Sequence, residues 1–243
     1  MGAFVQSAST GLNGNASNPN TFTITMGSLP TVGNTIYVST IGFTGGSTIS
    51  YSVTDNQTPA NTYTKDIEGQ APGSSGHGVG LFSCPVVTSS GSFVITVSCT
   101  NPSTVAQYLV GIAGEFSGIP TAPVNRSATG LPTSQVSTLD TTATATTTVP
   151  DTLLLAVGEG DVALINQQSG TTPSSGWSSI IHSGAPRRVN MEYQFVSSTV
   201  AARHVWNITN TQYTCACVAA YETAGSNSKF AGKFGGKLAG KLS

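Results

Sequence analysis

Short segments in which apolar and polar residues alternate recur along the whole chain, and Gly, Pro, Asn and Ser separate them. A period of two is typical of β-strands that bury one face, because successive side chains point to opposite sides of a sheet. Ser and Thr together supply about 27% of the residues, and this composition favours strands and turns over helices. The pattern therefore predicts an all-β protein with no helix before residue 225.

Predicted strands follow this alternation through both halves of the chain. They are 21–26, 35–43, 48–53, 78–87, 93–99 and 107–116 in the first half, and 124–129, 142–149, 152–158, 176–182, 189–196, 202–208 and 212–221 in the second. Turn signals at this spacing predict an antiparallel two-sheet β-sandwich, jelly-roll-like, with a barrel as the alternative. We expect residues 1–225 to form a single large domain, with a possible subdivision near 118–150, and residues 226–243 to form a tail.

The clearest predicted hairpin covers residues 78–99, and Gly91 supplies the positive φ that its turn needs. Cys84 and Cys99 lie on its two arms, so a cross-strand disulfide and two free thiols both remain open. Cys215 and Cys217 share one face of a predicted strand, where a bond between them would be strained. We expect these two residues to be buried free thiols.

Residues that carry catalysis or bind metals are sparse. The three histidines, His77, His182 and His204, are scattered, and none stands at a zinc-ligand spacing from a cysteine. No pair of carboxylates stands out among the ten acidic residues, and no G-x-S-x-G motif occurs. The sequence predicts a protein that is not an enzyme and that binds no cofactor and no metal.

Oxygen-bearing side chains gather in one predicted loop. Asp55, Asn56 and Gln57 are followed by Asn61 and Asp66. Such oxygens suit calcium if the backbone wraps around the ion. The EF-hand pattern is absent, so an Asx-type turn between two strands is the favoured interpretation.

The C-terminal segment repeats a four-residue unit of Lys, a large apolar residue and two small residues. Its Gly residues each cost about 0.8–1 kcal/mol relative to Ala in a helix, so we expect the tail to order only against a partner. An assembly tail is favoured over a flexible solubilising tail, and membrane contact is disfavoured but left open. In a helix, two adjacent stripes would result: Lys229, Lys233, Lys237 and Lys241 in one, and Phe230, Phe234, Leu238 and Leu242 in the other.

The distribution of charged and aromatic residues indicates which kinds of partner the protein can bind. Four of the nine Lys and Arg residues lie in the tail, which leaves an acidic body and argues against specific nucleic-acid binding. The sequence contains neither an apolar run long enough for a membrane helix nor the segments of a secretion signal. Tyr63 in a predicted loop and Trp177 at the beginning of the predicted strand 176–182 are the candidates for stacking on sugar rings, whereas Trp206 is expected in the core.

Eight segments share recognisable strand and turn patterns: 53–57 (VTDNQ), 61–64 (NTYT), 79–87 (VGLFSCPVV), 92–98 (SFVITVS), 114–118 (GEFSG), 150–158 (PDTLLLAVG), 191–196 (MEYQFV) and 213–221 (YTCACVAAY). Together they resemble a β-sandwich family of bacterial surface and phage-associated proteins. The resemblance covers most of residues 20–222 and does not include the tail. It implies a jelly-roll-like sandwich of the kind that serves in adhesins, virion decorations and fibres.

These features lead us to expect a non-enzymatic virion structural protein: a phage capsid decoration, spike or fibre subunit at the virion surface. Its partners would be further copies of itself or other virion subunits, held through the tail. A virion protein needs no secretion signal, in agreement with the N-terminal sequence. The alternative is an extracellular or cell-surface adhesin or lectin-like module that binds host glycans through Tyr63 and Trp177.

Overall fold

The computed structural model of the protein describes residues 2–9, 20–43, 48–72, 76–100, 108–120, 124–160, 176–181, 188–212 and 214–224. Within these residues the chain is all-β, with no helix, as the alternation predicts. The strands of residues 2–120, the first half, are β1 (Ala3–Ser9), β2 (Thr21–Thr25), β3 (Thr35–Phe43), β4 (Ser50–Asp55), β5 (Thr64–Gln70), β6 (His77–Pro85), β7 (Val94–Thr100) and β8 (Tyr108–Ser117). Those of residues 124–224, the second half, are β9 (Arg126–Gly130), β10 (Val136–Asp140), β11 (Thr152–Gly160), β12 (Ser178–Ile181), β13 (Arg188–Val196), β14 (Val205–Gln212) and β15 (Ala216–Glu222).

The strands pair antiparallel in four sheets. The first large sheet has the order β1-β8-β3-β6-β5, and the first small sheet has the order β2-β7-β4. In the second half, β12-β13-β11-β15-β9 form the second large sheet, and β10-β14 form the second small sheet. Each half therefore has one large and one small sheet.

Three clusters of buried apolar side chains separate the four sheets. The central core lies between the two large sheets, where the rings of Tyr37 and Tyr221 are 4.4 Å apart between centroids. The first core, which includes Ile36 and Ile95, lies between the large and small sheets of the first half. The second core, which includes Trp206, fills the corresponding space in the second half. The sheets thus stack in the order small, large, large, small.

Both halves use the same nested pairing of strands. In the first half β1 pairs with β8, β2 with β7 and β3 with β6. In the second half β9 pairs with β15, β10 with β14 and β11 with β13. The strand order β1-β8-β3-β6-β5 of the first large sheet corresponds to the order β9-β15-β11-β13-β12 of the second, so the two large sheets have the same topology. The chain is therefore a tandem structural repeat.

The register of the strands aligns individual residues of the two halves. Gly42 of β3 pairs with Leu109 of β8, and Gly158 of β11 pairs with Ala216 of β15. Matching Gly42 with Gly158 also aligns Glu222 with Glu115, and each Glu is followed by a Gly three residues later, in EFSG at 115–118 and ETAG at 222–225. This alignment allows a comparison of equivalent positions in the two cores.

The predicted hairpin at residues 78–99 is wrong. β6 belongs to the first large sheet and β7 to the first small sheet, so the turn carries the chain across the core. Gly91 does adopt a positive φ of 60°. Cys84 and Cys99 therefore do not face each other across one ladder, and all four cysteines are buried free thiols. The free-thiol expectation for Cys215 and Cys217 is confirmed.

The strand predicted at 142–149 is also wrong, because this segment has a period of three. Thr141, Thr144 and Thr147 are buried, and their N–H groups donate to the carbonyls of His204, Ala202 and Val200. Their hydroxyl groups accept hydrogen bonds from the same three residues' N–H groups. The Thr hydroxyl groups thus accept the hydrogen bonds that backbone carbonyls would accept in a regular pair of strands. The alternation of polar and apolar residues does not predict such side-chain bonding.

Three strands, β1, β5 and β10, were not predicted, because they are short or carry charged and polar residues on both faces. The junction between the halves falls between β8 and β9. The single domain over residues 1–225 stays a prediction, which the shared central core favours. The predicted tail, with its Lys and Phe/Leu stripes, lies outside the described residues, as does His182.

Candidate functional site

The loop after β4 is a hydrogen-bonded turn. Asp55 Oδ1 accepts from the N–H of Gln57 at 3.1 Å, which is the bond that defines an Asx turn, and from the N–H of Asn61 at 3.3 Å. Asp55 Oδ2 accepts from Asn61 Nδ2 at 2.8 Å and from the Tyr63 hydroxyl at 3.3 Å. The Asx interpretation is confirmed. Both carboxylate oxygens are used inside the turn, and Asp66 has other partners.

Asn61 fastens this turn to the connection between β6 and β7. Its Oδ1 accepts from the N–H groups of Val87 and Thr88, and its Nδ2 donates to the Thr88 carbonyl at 2.9 Å. Tyr63 packs against the first core, and burial together with Cys84 and Asp55 raises its pKa far above the ordinary value for a phenol. The half-buried Tyr63 ring is thus held by the turn and the core.

A histidine, a glutamate and a cysteine meet at the end of the central core. His77 Nδ1 lies 2.8 Å and 2.9 Å from the two carboxylate oxygens of Glu159, and the Cys215 thiol lies 3.3 Å from Glu159 Oε2. All three side chains are buried. Burial, and then the charge of Glu159, raise the pKa of Cys215 well above its usual range, so the thiolate that a nucleophile requires is disfavoured.

Asp66 joins the two halves through a hydrogen bond. Its Oδ2 accepts from the Tyr221 hydroxyl at 2.7 Å, and its Oδ1 accepts from Ser83 Oγ at 3.0 Å. Burial raises the pKa of Asp66, although the two hydrogen bonds oppose the shift. A carboxyl whose pKa is raised in the folded state stabilises the fold when it is protonated.

We expect Asp66→Asn to change how stability depends on pH. The contribution of Asp66 is fully present below the unfolded-state pKa of about 3.9 and is lost as the pH rises through its higher folded-state pKa. The melting temperature of the wild type, relative to Asp66→Asn, should therefore fall from pH 3 to neutral pH, as thermal unfolding followed by circular dichroism would show. Asp140→Asn is the matched control with the opposite slope, because hydrogen bonding by Arg203 lowers the pKa of Asp140. If the difference in melting temperature between wild type and variant changed with pH in the same direction for both variants, the raised pKa of Asp66 would be contradicted.

Trp177 belongs to a polar cluster on the face of the second large sheet that turns toward the second core. Its ring lies 4.6 Å from that of His204, and His204 lies 4.1 Å from Trp206, between centroids. Glu192 Oε1 accepts from Trp206 Nε1 at 3.2 Å, and Glu192 Oε2 lies 3.0 Å from His204 Nε2. Asn190 precedes Glu192 by two residues on β13 and therefore shares its face.

The two predicted glycan-contact residues lie in different halves. Tyr63 packs on the first core and Trp177 on the second, so the structure does not bring them together. The residues that sequence reasoning missed are Asn190 and Glu192. Their signal was present in β13, where polar Asn190, Glu192 and Gln194 alternate with Val189, Met191 and Tyr193. Such alternation is typical of a strand with one side in solvent, whereas Asn190 and Glu192 are fully buried.

The described residues were also compared with the requirements of a metal site, a membrane helix and a cavity. No group of three or more His, Cys, Asp and Glu side chains among them is arranged to hold a metal ion. A search of the same residues found no helix that is long and apolar enough to cross a membrane. A cavity of about 480 Å³ opens between the N-terminal segment and the second large sheet, and its lining residues are Gly2, Asp151, Thr152, Phe195, Val196, Ser197, Thr223 and Ala224.

The chain matches no protein-family model, no curated protein and no solved structure. The resemblance to surface and phage-associated sandwiches therefore stays a prediction that rests on the residues quoted for it. The structural features that bear on function are the polar cluster around Glu192 and His204 and the tandem repeat of the two halves.

Proposed function

We propose that the protein is a non-enzymatic virion structural protein, a capsid decoration, spike or fibre subunit displayed at the virion surface. The observation that carries the proposal is the tandem repeat, in which two halves of one topology share a core between their large sheets. We also propose that each half is a two-sheet, jelly-roll-like sandwich, since its nested strand pairs are those of a rolled-up hairpin.

Jelly rolls support this function by analogy of fold. The architecture recurs in viral capsid and lectin domains, where it offers a rigid body with loops at both ends. Two such bodies in one chain double the surface that can contact neighbouring subunits. The low charge content, 8% of residues, also favours packing against further protein surfaces over a highly solvated state.

The tail is the proposed anchor to a neighbouring subunit. The last described residue, Ala224, lines a cavity together with Phe195 and Val196. We propose that this cavity receives the tail of a symmetry-related copy. Phe230 and Phe234 would supply the apolar contact, and the four lysines would face acidic surface.

The test compares the solution mass of the full chain with that of a chain ending at residue 225, by light scattering in one buffer. We expect an oligomer that becomes a monomer of about 23 kDa on truncation, because the Gly-rich tail orders only in the contact. Full-length protein with Phe230 and Phe234 both replaced by Ser should behave like the truncated chain. Replacement of Ser198, exposed in the second half, by Lys is the control that should leave the mass unchanged.

A monomeric full-length chain would overturn the anchoring role of the tail and favour the second candidate, a surface adhesin or lectin-like module. The polar cluster around Trp177 is the specific observation that supports this alternative. Labelling with antibodies against the full chain separates the two locations. Electron microscopy should show label on particles released by lysis if the protein is a virion component, and label on the cell surface if it is an adhesin.

A further inference from the structure

We propose a binding site for a neutral saccharide on the second half, built from Ser179, Asn190, Glu192 and His204 with Trp177 at its outer edge. The site goes beyond a structural role in a particle and does not depend on the tail. It occupies the face of β12 and β13 that turns toward the second core.

Unpaired polar atoms are concentrated at this place. Within the described part of the chain, Asn190 Oδ1 and Nδ2 and Ser179 Oγ are buried without a hydrogen-bond partner. Glu192 Oε2 and His204 Nε2 are close to each other, at 3.0 Å, but are not aligned for a hydrogen bond. The Asn190 amide and the Ser179 hydroxyl each cost about 1–3 kcal/mol when they stay unpaired, so this part of the cluster is poorly explained as core packing.

The first half shows what a purely structural version of this face looks like. Gly42 pairs with Gly78 where Gly158 pairs with Asn190, so Asn190 takes the position of Gly78. A Cβ on Gly78 would lie 2.2 Å from a side-chain carbon of Ile49. The Tyr51 hydroxyl also donates to the Gly78 carbonyl at 2.8 Å. In the first half, side chains from β4 and the residues before it thus close the face.

The second half carries side chains with hydrogen-bonding groups at the equivalent positions. Asn190 replaces Gly78 and, two residues on, Glu192 replaces Gly80. Equivalent positions in one repeat have therefore exchanged glycine for an amide and a carboxylate.

The combination of groups selects a neutral polyol. Asn190 and Ser179 offer donors and acceptors together, which matches the paired hydroxyls of a sugar. Glu192 adds an acceptor and disfavours an anionic ligand. Because the His204 ring lies against both indoles, at 4.6 Å and 4.1 Å, the space of an aromatic cage for a cation is already filled.

Burial decreases from the floor of the cluster to its edge. Asn190, Glu192 and His204 are buried, whereas Trp177, Ser179 and Gln194, which lie on the same face, are half-buried. Part of the Trp177 indole is therefore accessible for stacking on the apolar face of a sugar ring, while the hydroxyls reach toward β13. This arrangement of one aromatic surface and a few converging polar groups is typical of small-ligand sites.

Intrinsic fluorescence gives a direct test, because the only two tryptophans of the chain, Trp177 and Trp206, both lie in the cluster. The full chain is titrated with the methyl glycosides of glucose, galactose, mannose and N-acetylglucosamine up to about 50 mM, enough to fill a site with a Kd near 1 mM. We expect a saturable change in emission with at least one of them. If none of the four changes the emission, the proposal is overturned.

Two variants and one control locate the response. Asn190→Leu removes both amide atoms at similar size, and we expect at least about tenfold weaker binding with an unchanged or higher melting temperature. Trp177→Ala should weaken binding by a similar factor, with Trp206 left as the reporter. Val32→Ser, at an exposed position of the first half, should leave the titration unchanged. A response that persists at full strength in Asn190→Leu would show that the sugar binds elsewhere and would overturn the proposed site.

Discussion

Replacing Trp206 with Ala is expected to lower the free energy of unfolding by about 3–5 kcal/mol, the usual cost of removing a large buried aromatic side chain. Trp206 is the largest fully buried side chain among the described residues, at 1% exposure. Its ring packs directly on Gly158, where a Cβ would come within 3.0 Å of the indole. The loss of its Nε1–H would also leave Glu192 Oε1 without this donor. For a chain of this size, where 1 kcal/mol corresponds to about 2–4 °C, the melting temperature should fall by about 6–20 °C.

Trp177→Ala is the matched control for this prediction. Trp177 is half-buried at the edge of the same cluster, so its removal deletes less apolar contact and leaves no full cavity. We expect the melting temperature of Trp177→Ala to stay within a few degrees of the wild type, as calorimetry would measure. Equal losses for the two variants would mean that the second core does not depend on the contact between Trp206 and Gly158.

Replacing Glu115 with Leu is expected to cost about 3 kcal/mol, because it leaves three donors without their acceptor. The Glu115 carboxylate is fully buried and accepts from Gln6 Nε2 at 2.6 Å, from the N–H of Thr31 at 2.8 Å and from Asn34 Nδ2 at 2.6 Å. These bonds tie the edge strand β1 and the connection before β3 to β8. Chemical denaturation should show a lower midpoint, and limited proteolysis should cut earlier within residues 26–34.

The repeat itself provides the control for Glu115. Glu222 holds the equivalent position on β15, is half-buried and accepts from Asn125 Nδ2 at 2.9 Å. Glu222→Leu should therefore destabilise the protein by no more than about 1 kcal/mol. A larger loss for Glu222→Leu than for Glu115→Leu would contradict the view that the carboxylate at this position organises only the first half.

The comparison of the two halves explains why one of them is the better candidate for binding. In the first half the face of β6 is covered by Tyr51 and Ile49, which pack over glycines, and the core there consists of apolar side chains. In the second half the equivalent face of β13 carries the buried polar residues Asn190 and Glu192.

Some of the strands were predictable because their alternation is local. β2 and β4 bury alternate residues with the expected period of two, and their predicted bounds agree with the structure within two residues. The segment at 142–149 was not predictable in this way, because its Thr hydroxyls bond to residues 200–204, more than 50 residues away. A Thr that packs as a strand residue and a Thr that substitutes for a backbone group look alike in the sequence.

The residues of the candidate site were likewise only partly predictable from the sequence. Trp177 was recognisable from the sequence as an aromatic residue in a loop, but nothing local placed it against His204, 27 residues further on. Asn190 and Glu192 had the pattern of a solvent-facing side, and only the packing of β14 with Trp206 over β13 buried them. Tyr63 was equally plausible in the sequence, but its hydroxyl group donates to Asp55.

The sequence by itself determined that the protein is all-β, that its strands are antiparallel and that its loop at Asp55 is an Asx turn, because these properties depend on contacts within a few residues. Only the tertiary structure decided which strands share a sheet, that the chain repeats one topology twice and that the two large sheets bury each other. Those choices depend on pairings between residues that are distant in sequence, such as β1 with β8 and β9 with β15. The energy of such pairings comes from buried area and register, which alternation alone does not encode.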